Sequence, residues 1–231
     1  MPERKISRSN IYVRQRGRLT QSQARALEAY SAEYLLEPAD QLIDLQQAFG
    51  SNQPPTLEIG FGVGQALIEM AVNNPEKNFL GIEVYLPGIG ALLHRCHEMD
   101  IHNVRVIRGD AKYVLENNCA KESLAQINIF FPDPWPKRKH QKRRIIQSSM
   151  IELIQQRLVS EGKVYLATDW EEYAYSMLEL FSQSTGFYNL SPECFFTQRF
   201  DERPLTRFEA RGIRLGHEVW DLCFQKKVQS A

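Results

Sequence analysis

The chain predicts a doubly wound α/β protein with a mostly parallel seven-stranded sheet, an antiparallel edge strand and helices on both faces. Three observations carry that expectation. From Thr56 onward, short apolar runs alternate with stretches of helical period, the mark of a parallel sheet covered on both sides. The first of these runs ends in a glycine-rich turn, Gly60-Phe61-Gly62-Val63-Gly64, of the kind that lets a ligand approach the backbone closely. Acidic residues, Glu83 and Asp110, then close the next two strands, at the carboxyl ends where open α/β sheets bind their ligands.

In chain order, residues 1–19 are basic and polar, with Tyr12 and Val13 between arginines, a composition suited to ordering against nucleic acid. Thr20 to Gln23 reads as a capping box, and Ala24, Leu27, Tyr30 and Tyr34 recur at helical spacing until Pro38, which ends the helix. A short helix over 39–49 and a turn-rich linker over 50–55 follow. Strands are predicted at 56–60, 78–83, 104–109, 127–131 and 163–168, and helices at 65–73, 88–99, 111–119, 143–159 and 171–184. Residues 218–225 alternate apolar and polar and read as the antiparallel strand that closes the edge. The chain divides into a basic arm with helices packing on the core, 1–53, and the α/β unit, 54–231.

Composition narrows the partners. The formal net charge is zero, yet residues 1–20 hold six basic groups against Glu3, and residues 137–144 hold six against none. The other residues carry 16 basic and 27 acidic groups, a net of −11. An acidic body with two basic patches steers a polyanion. Cys96, Cys119, Cys194 and Cys223 fall at irregular spacing without C-x-x-C, which argues for reduced thiols in a cytoplasmic protein. His94, Cys96, His97 and His102 lack paired ligand spacing, so no metal is expected. No apolar run approaches a membrane span, and the basic start lacks the apolar core of a secretory signal.

The richest stretch is Ile127 to Arg144. It opens as a buried strand and breaks into Pro132-Asp133-Pro134-Trp135-Pro136, where three prolines stiffen the backbone around one carboxylate and one indole. Lys137 to Arg144 then adds a concentrated positive field. A polyanion bearing a planar base suits such a site.

The glycine turn points to a nucleotide-like cofactor. Glu83 follows it by about 20 residues, where an acid accepts from both hydroxyls of a ribose, and Asp110 stands where it can accept from an adenine amine. A dinucleotide fingerprint needs its third glycine one residue later, where Gln65 stands. Glu58 places a carboxylate beneath the loop, which suits a cationic ligand better than a diphosphate. S-adenosylmethionine has that charge.

Glu58 to Gly64, Glu83, Arg108 to Ala111, Phe131-Pro132-Asp133-Pro134-Trp135-Pro136-Lys137, Ala167-Thr168-Asp169-Trp170 and Leu205-Thr206-Arg207-Phe208-Glu209-Ala210-Arg211-Gly212 together resemble the bacterial tRNA (guanine-N7)-methyltransferase family. The resemblance spans nearly the whole chain and includes Val13 to Thr20 as the family's arginine-rich arm. It implies a Rossmann-like fold and methyl transfer to N7 of a guanine in the tRNA variable loop. S-adenosylmethionine is then expected at Glu58, Gly60, Gly62, Gly64, Glu83, Asp110 and Asp133. The target guanosine is expected at Lys137, Asp169, Thr206, Arg207, Phe208 and Glu209. Asp133 is the expected catalytic carboxylate, with Asp169 or Glu209 as alternatives for recognising the base. No obligatory protein partner is expected, and both monomer and homodimer remain open. Two rivals stand beside this reading. One is an amino-group methyltransferase, whose motif has two prolines between acid and aromatic where Asp133-Pro134-Trp135 has one. The other is an RNA-binding module that holds the cofactor without turnover.

Overall fold

The computed structural model describes residues 18–38, 41–191 and 195–228. The first helix, α1 (Gln21–Tyr34), starts as predicted. Thr20 Oγ1 accepts from the Gln23 amide at 3.2 Å, and Gln23 Oε1 accepts from the Thr20 amide at 2.9 Å. It stops four residues before Pro38, because Leu35 and Leu36 leave the helix as a two-residue strand, β1, in register with Val106 and Ile107. The short helix α2 (Leu45–Phe49) begins at an Asp44 cap, later than expected, and ends at Gly50 in the left-handed conformation. Residues 39 and 40, where the predicted helix began, lie outside the described residues.

The alternation then runs as read: β2 (Thr56–Ile59), α3 (Gln65–Asn73), β3 (Phe79–Glu83), α4 (Leu86–Glu98), β4 (Val104–Arg108), α5 (Ala111–Asn117) and β5 (Leu124–Phe130). After β5 the predicted helix 143–159 starts late and ends early: α6 spans Ser148–Arg157, residues 158 and 159 belong to the next strand, and a 3-10 segment, Arg138–Arg143, lies before α6. Like charges crowd that segment, and repulsion at helical spacing disfavours a regular α-helix there. The remaining elements are β6 (Leu158–Thr168), α7 (Glu171–Gln183), β7 (Phe187–Asn189), α8 (Arg207–Arg214) and β8 (Trp220–Lys226).

The sheet has eight strands in the order β1-β4-β3-β2-β5-β6-β8-β7. The pairs from β1 to β6 are parallel, and β8 runs antiparallel to both β6 and β7. The antiparallel edge was expected. The strand count rises by one over the expected seven, and the terminal strand sits one place in from the edge, between β6 and β7.

Strand alternation sends side chains to two cores. Leu57, Ile59, Leu80 and Ile82 pack against α5, α6 and α7 through residues such as Val114, Ile154 and Met177. Phe79, Val104 and Val106 face α1, α3 and α4 through Tyr34, Ile68 and Leu93. Strand order reverses between β2 and β5, which are direct neighbours with Glu58 opposite Asn128. That reversal opens a crevice at the carboxyl ends of the strands.

Candidate active site

A cavity of about 250 Å³ occupies the crevice, lined among others by Gly60, Gly62, Glu83, Tyr85, Asp133 and Trp135. One wall is the turn after β2. Gly60, Gly62 and Gly64 all have positive φ, at 74°, 59° and 73°, a backbone path that other residues follow only under strain. Behind the turn, α4 comes so close at Gly88 that a Cβ there would sit 2.0 Å from the Gly62 carbonyl oxygen.

Glu83 holds this wall in place. One carboxylate oxygen accepts from the Gly62 amide at 2.8 Å, and the other accepts from the amides of Val84 and Tyr85 at 2.7 and 2.9 Å. Three of its roughly four lone-pair sites are thereby engaged with backbone. Asp110 caps α5, its Oδ1 accepting from the Tyr113 amide at 3.0 Å. Glu58 is buried beneath the turn, and its Oε2 has no hydrogen-bond partner among the described residues. Burial, and then the charge of Glu83, push its carboxyl up to about 8. An unpartnered buried carboxylate calls for a cation, so this wall fits a cationic, ribose-bearing ligand such as S-adenosylmethionine.

The opposite wall is the segment after β5. Phe131 and Trp135 both have positive φ, 50° and 43°, rare for bulky side chains and concentrated at functional sites. Between them Asp133 is exposed at the cavity mouth. The Arg143 guanidinium lies 5.0 Å over the Trp135 ring, and His140 meets that ring edge-on at 5.9 Å. Loss of solvent, then Arg143, Lys139, Lys137 and Lys142, hold the His140 imidazole below its usual range. Lys137, Arg138, Lys139 and Lys142 are exposed, so a cationic face adjoins the carboxylate.

Known proteins share this sequence over nearly its whole length. Residues 52–222 match a family model described as "Putative methyltransferase". The tRNA (guanine-N(7)-)-methyltransferase of Yersinia pseudotuberculosis is 47% identical over 228 residues, covering 97% of this chain and 94% of that protein. The enzyme of the same name from Vibrio vulnificus is 46% identical over 222 residues, covering 96% and 93%. The chain belongs to the tRNA (guanine-N7)-methyltransferase family. Among solved structures, the 16S rRNA methyltransferase KamB superposes with a TM-score of 0.57 at 11% identity, over 85% of this chain and 99% of that one. It shares the fold.

The other residues expected to meet the guanosine gather at the same end of the sheet. Asp169, half-buried at the end of β6, lies 3.7 Å from His217 through Oδ2 and Nδ1. Thr206 caps α8, its Oγ1 accepting from the Glu209 amide at 3.2 Å. The Arg207 amide donates to Gln65 Oε1 at 3.1 Å, which ties α8 to the start of α3 beside the glycine turn. Phe208 is exposed and meets Phe131 edge-on at 5.3 Å. Glu209 stands apart from the others. It is 3% exposed, and both its oxygens accept from Arg203, at 2.7 and 2.9 Å. Arg203 also pairs with Asp221 of β8 at 2.8 Å and lies 5.7 Å over the rings of both Phe130 and Phe131.

Arg203 and Gln65 were missed by sequence reasoning, and Arg144, counted in the positive field of 137–144, is instead buried. Gln65 carried a signal, as the residue standing where a dinucleotide fingerprint places glycine. Arg203 and Arg144 carried none, because nothing in composition distinguishes an inward arginine from an outward one. Elsewhere, Cys96 turns into the core while His94 pairs with Glu98 and His102 with Asp100. Among the described residues, no group of three metal-ligating side chains forms. No helix there is long and apolar enough to cross a membrane.

Proposed function

We infer that the chain transfers a methyl group from S-adenosylmethionine to N7 of the guanine at position 46 of the tRNA variable loop. The observation that carries this reading is Asp133, an exposed carboxylate at the cavity mouth, set between the cofactor wall and a cationic face. Glu58 would meet the positive charge of the cofactor. Gly60, Gly62 and Gly64 give it a close backbone approach, and Glu83 would use its remaining acceptor site on the ribose. Gly109 and Ala111 line the cavity beside Asp110, so the Asp110 turn would border the adenine.

Bound S-adenosylmethionine supplies an electrophilic methyl group on a sulfonium. N7 of neutral guanine carries an in-plane lone pair and no proton, so the chain has no proton to remove before attack. Positive charge develops on the ring as the N7–methyl bond forms and the sulfur–methyl bond breaks. The Asp133 carboxylate stabilises that charge, and fixing the base in line supplies most of the remaining acceleration. Trp135 offers a stacking face, Lys137 and its neighbours meet phosphate, and Asp169, Thr206, Arg207 and Phe208 border the guanosine. Glu209 contributes through Arg203, by holding α8 and with it Phe208 against Phe131.

One chain supplies both the cavity and the cationic face, which supports the reading that turnover needs no second protein. The buried thiols of Cys96, Cys119 and Cys223 suit the reducing cytoplasm, where tRNA is found.

The test is to incubate the protein with labelled S-adenosylmethionine and unmodified tRNA, digest to nucleosides and identify the product. N7-methylguanosine is expected. Methylated adenosine or cytidine would instead establish an amino-group enzyme. Cofactor binding without label transfer would leave an RNA-binding module.

A further inference from the structure

Composition makes Lys137 to Arg144 one basic run, but its last member is withdrawn from solvent. Arg144 is 3% exposed. Its Nε donates to the Pro134 carbonyl at 2.8 Å, its Nη1 donates to Glu172 Oε1 at 3.0 Å, and its Nη2 pairs with Glu172 Oε2. The guanidinium lies 4.5 Å over the ring of Tyr173, whose hydroxyl accepts from the Ile146 amide at 3.2 Å. Every side of this cation is engaged with protein.

What it grips is the turn that carries Asp133. Pro134 separates Asp133 from Trp135, and the turn holds Phe131 and Trp135 at positive φ. Such residues cost about 1–3 kcal/mol each and persist only where their surroundings over-determine them. Prolines 132, 134 and 136 have no amide hydrogen to donate. The β5 end of the turn is fixed by the Phe131 amide, which donates to the Ala167 carbonyl at 2.7 Å. The other end needs a tie from outside, and the Arg144 bond to Pro134 is one. Hydrogen bonding from Arg144 holds the Glu172 carboxyl below its usual range, so the anchor on α7 stays ionised.

We propose that Arg144 is a positioning residue for methyl transfer: anchored on Glu172 of α7, it holds the Pro134 carbonyl and thereby sets the place of the Asp133 carboxylate, rather than contacting RNA phosphate. This rests on the reaction proposed above. Glu172 and Tyr173 belong to the same device, and Gln141 adds a longer contact to Glu172 at 3.3 Å.

Three measurements on Arg144→Met and Glu172→Ala test it. Glu172 is largely exposed, so its variant removes no core side chain, and thermal melts of both variants establish that the fold is kept while Arg144 has lost its anion. Single-turnover transfer at saturating cofactor and tRNA should fall by about tenfold or more in both, since small misplacements of a reacting group cost that much. The slope of tRNA affinity against salt should match the parent protein, whereas removing a cation that touches phosphate lowers it by about one. Acrylamide quenching of tryptophan fluorescence, with Trp220 replaced by Phe and Trp170 kept as a hydrogen-bond partner of Glu172, should increase in both. A parental transfer rate in Glu172→Ala, or a flattened salt slope in Arg144→Met, overturns the proposal. The quenching needs no turnover. Absence of methyl transfer by the parent protein, with quenching still sensitive to Arg144, would therefore locate the failure in the assigned reaction and not in the clasp.

Discussion

Glu58 and Glu83 project to the same face of neighbouring parallel strands: Glu58 pairs with Gly81, and Glu83 lies two residues further along. Their surroundings divide them. Glu83 accepts from three backbone amides, whereas Glu58 keeps an oxygen without a partner among the described residues. Glu58 therefore holds its proton up to about pH 8, against 4.5 for an ordinary glutamate. Across that window the folded chain binds a proton that the unfolded chain has lost, so stability falls with rising pH, by about 1.4 kcal/mol per pH unit. Glu58→Gln should remove that slope in thermal melts and gain most over the parent near pH 8. The parent should bind S-adenosylmethionine more tightly as pH rises and release a proton on binding. Calorimetry in buffers of different ionisation enthalpy reads that proton, and its absence would show that Glu58 does not meet the cation.

Asp133→Ala should lower transfer by about 100-fold or more, while S-adenosylmethionine still binds. Asp133 is exposed and shapes no core. Rapid-quench turnover and calorimetry separate the two effects, and parental turnover would remove Asp133 from the mechanism.

Gly88→Ala places a methyl group against the backbone of Gly62, which has no rotamer by which to yield. Cofactor affinity should fall while helix content by circular dichroism is kept. Parental affinity would mean that the glycine turn shifts without cost.

Arg203→Met leaves Glu209 and Asp221 buried without their shared cation. Breaking such a group costs about 3–5 kcal/mol, and for a chain of this size each kcal/mol lowers Tm by about 2–4 °C. Differential scanning calorimetry should therefore show a Tm lower by about 6–20 °C. Burial already raises the Asp221 carboxyl against the opposing pull of Arg203, so without Arg203 it should titrate higher still.

Replacing Lys137, Arg138, Lys139 and Lys142 singly by Gln should lower the salt slope of tRNA binding by about one wherever the replaced cation neutralises a phosphate. Deleting residues 1–19 should weaken tRNA binding and flatten the slope. Most of that arm, residues 1–17, lies outside the described residues. An unchanged slope on deletion would show that the arm does not touch RNA.

The parallel half of the fold was legible because its strands are short apolar runs and its helices have strong period. β2, α3, β3 and β4 fall within a residue or so of their expected places. β1 and β7 were not legible. With two and three residues they are too short to show alternation, and pairing with β4 and β8 defines them. The resemblance marked Leu205 to Gly212 as a motif, but α8 was not expected as a helix; its Phe208 and Ile213 are exposed. At the site, residue types at strand ends located the cavity, but polar side chains do not reveal their partners. Glu209 is committed to Arg203, six residues before it, and through Arg203 to Asp221. Such a buried group forms only when loop, helix and final strand meet.

The late position of β8 in the chain has a consequence for biosynthesis. β7 hydrogen-bonds to the sheet through β8, and Asp221, which pins Arg203 beneath α8, lies on β8 as well. Domains begin to fold while the chain is still being made, and the strands from β1 to β6 can pair before β8 exists. The glycine turn can therefore take shape on a nascent chain well before α8 has its anchor. A ribosome that stalls before residue 220 would leave Arg203 without Asp221 and β7 without the strand that joins it to the sheet.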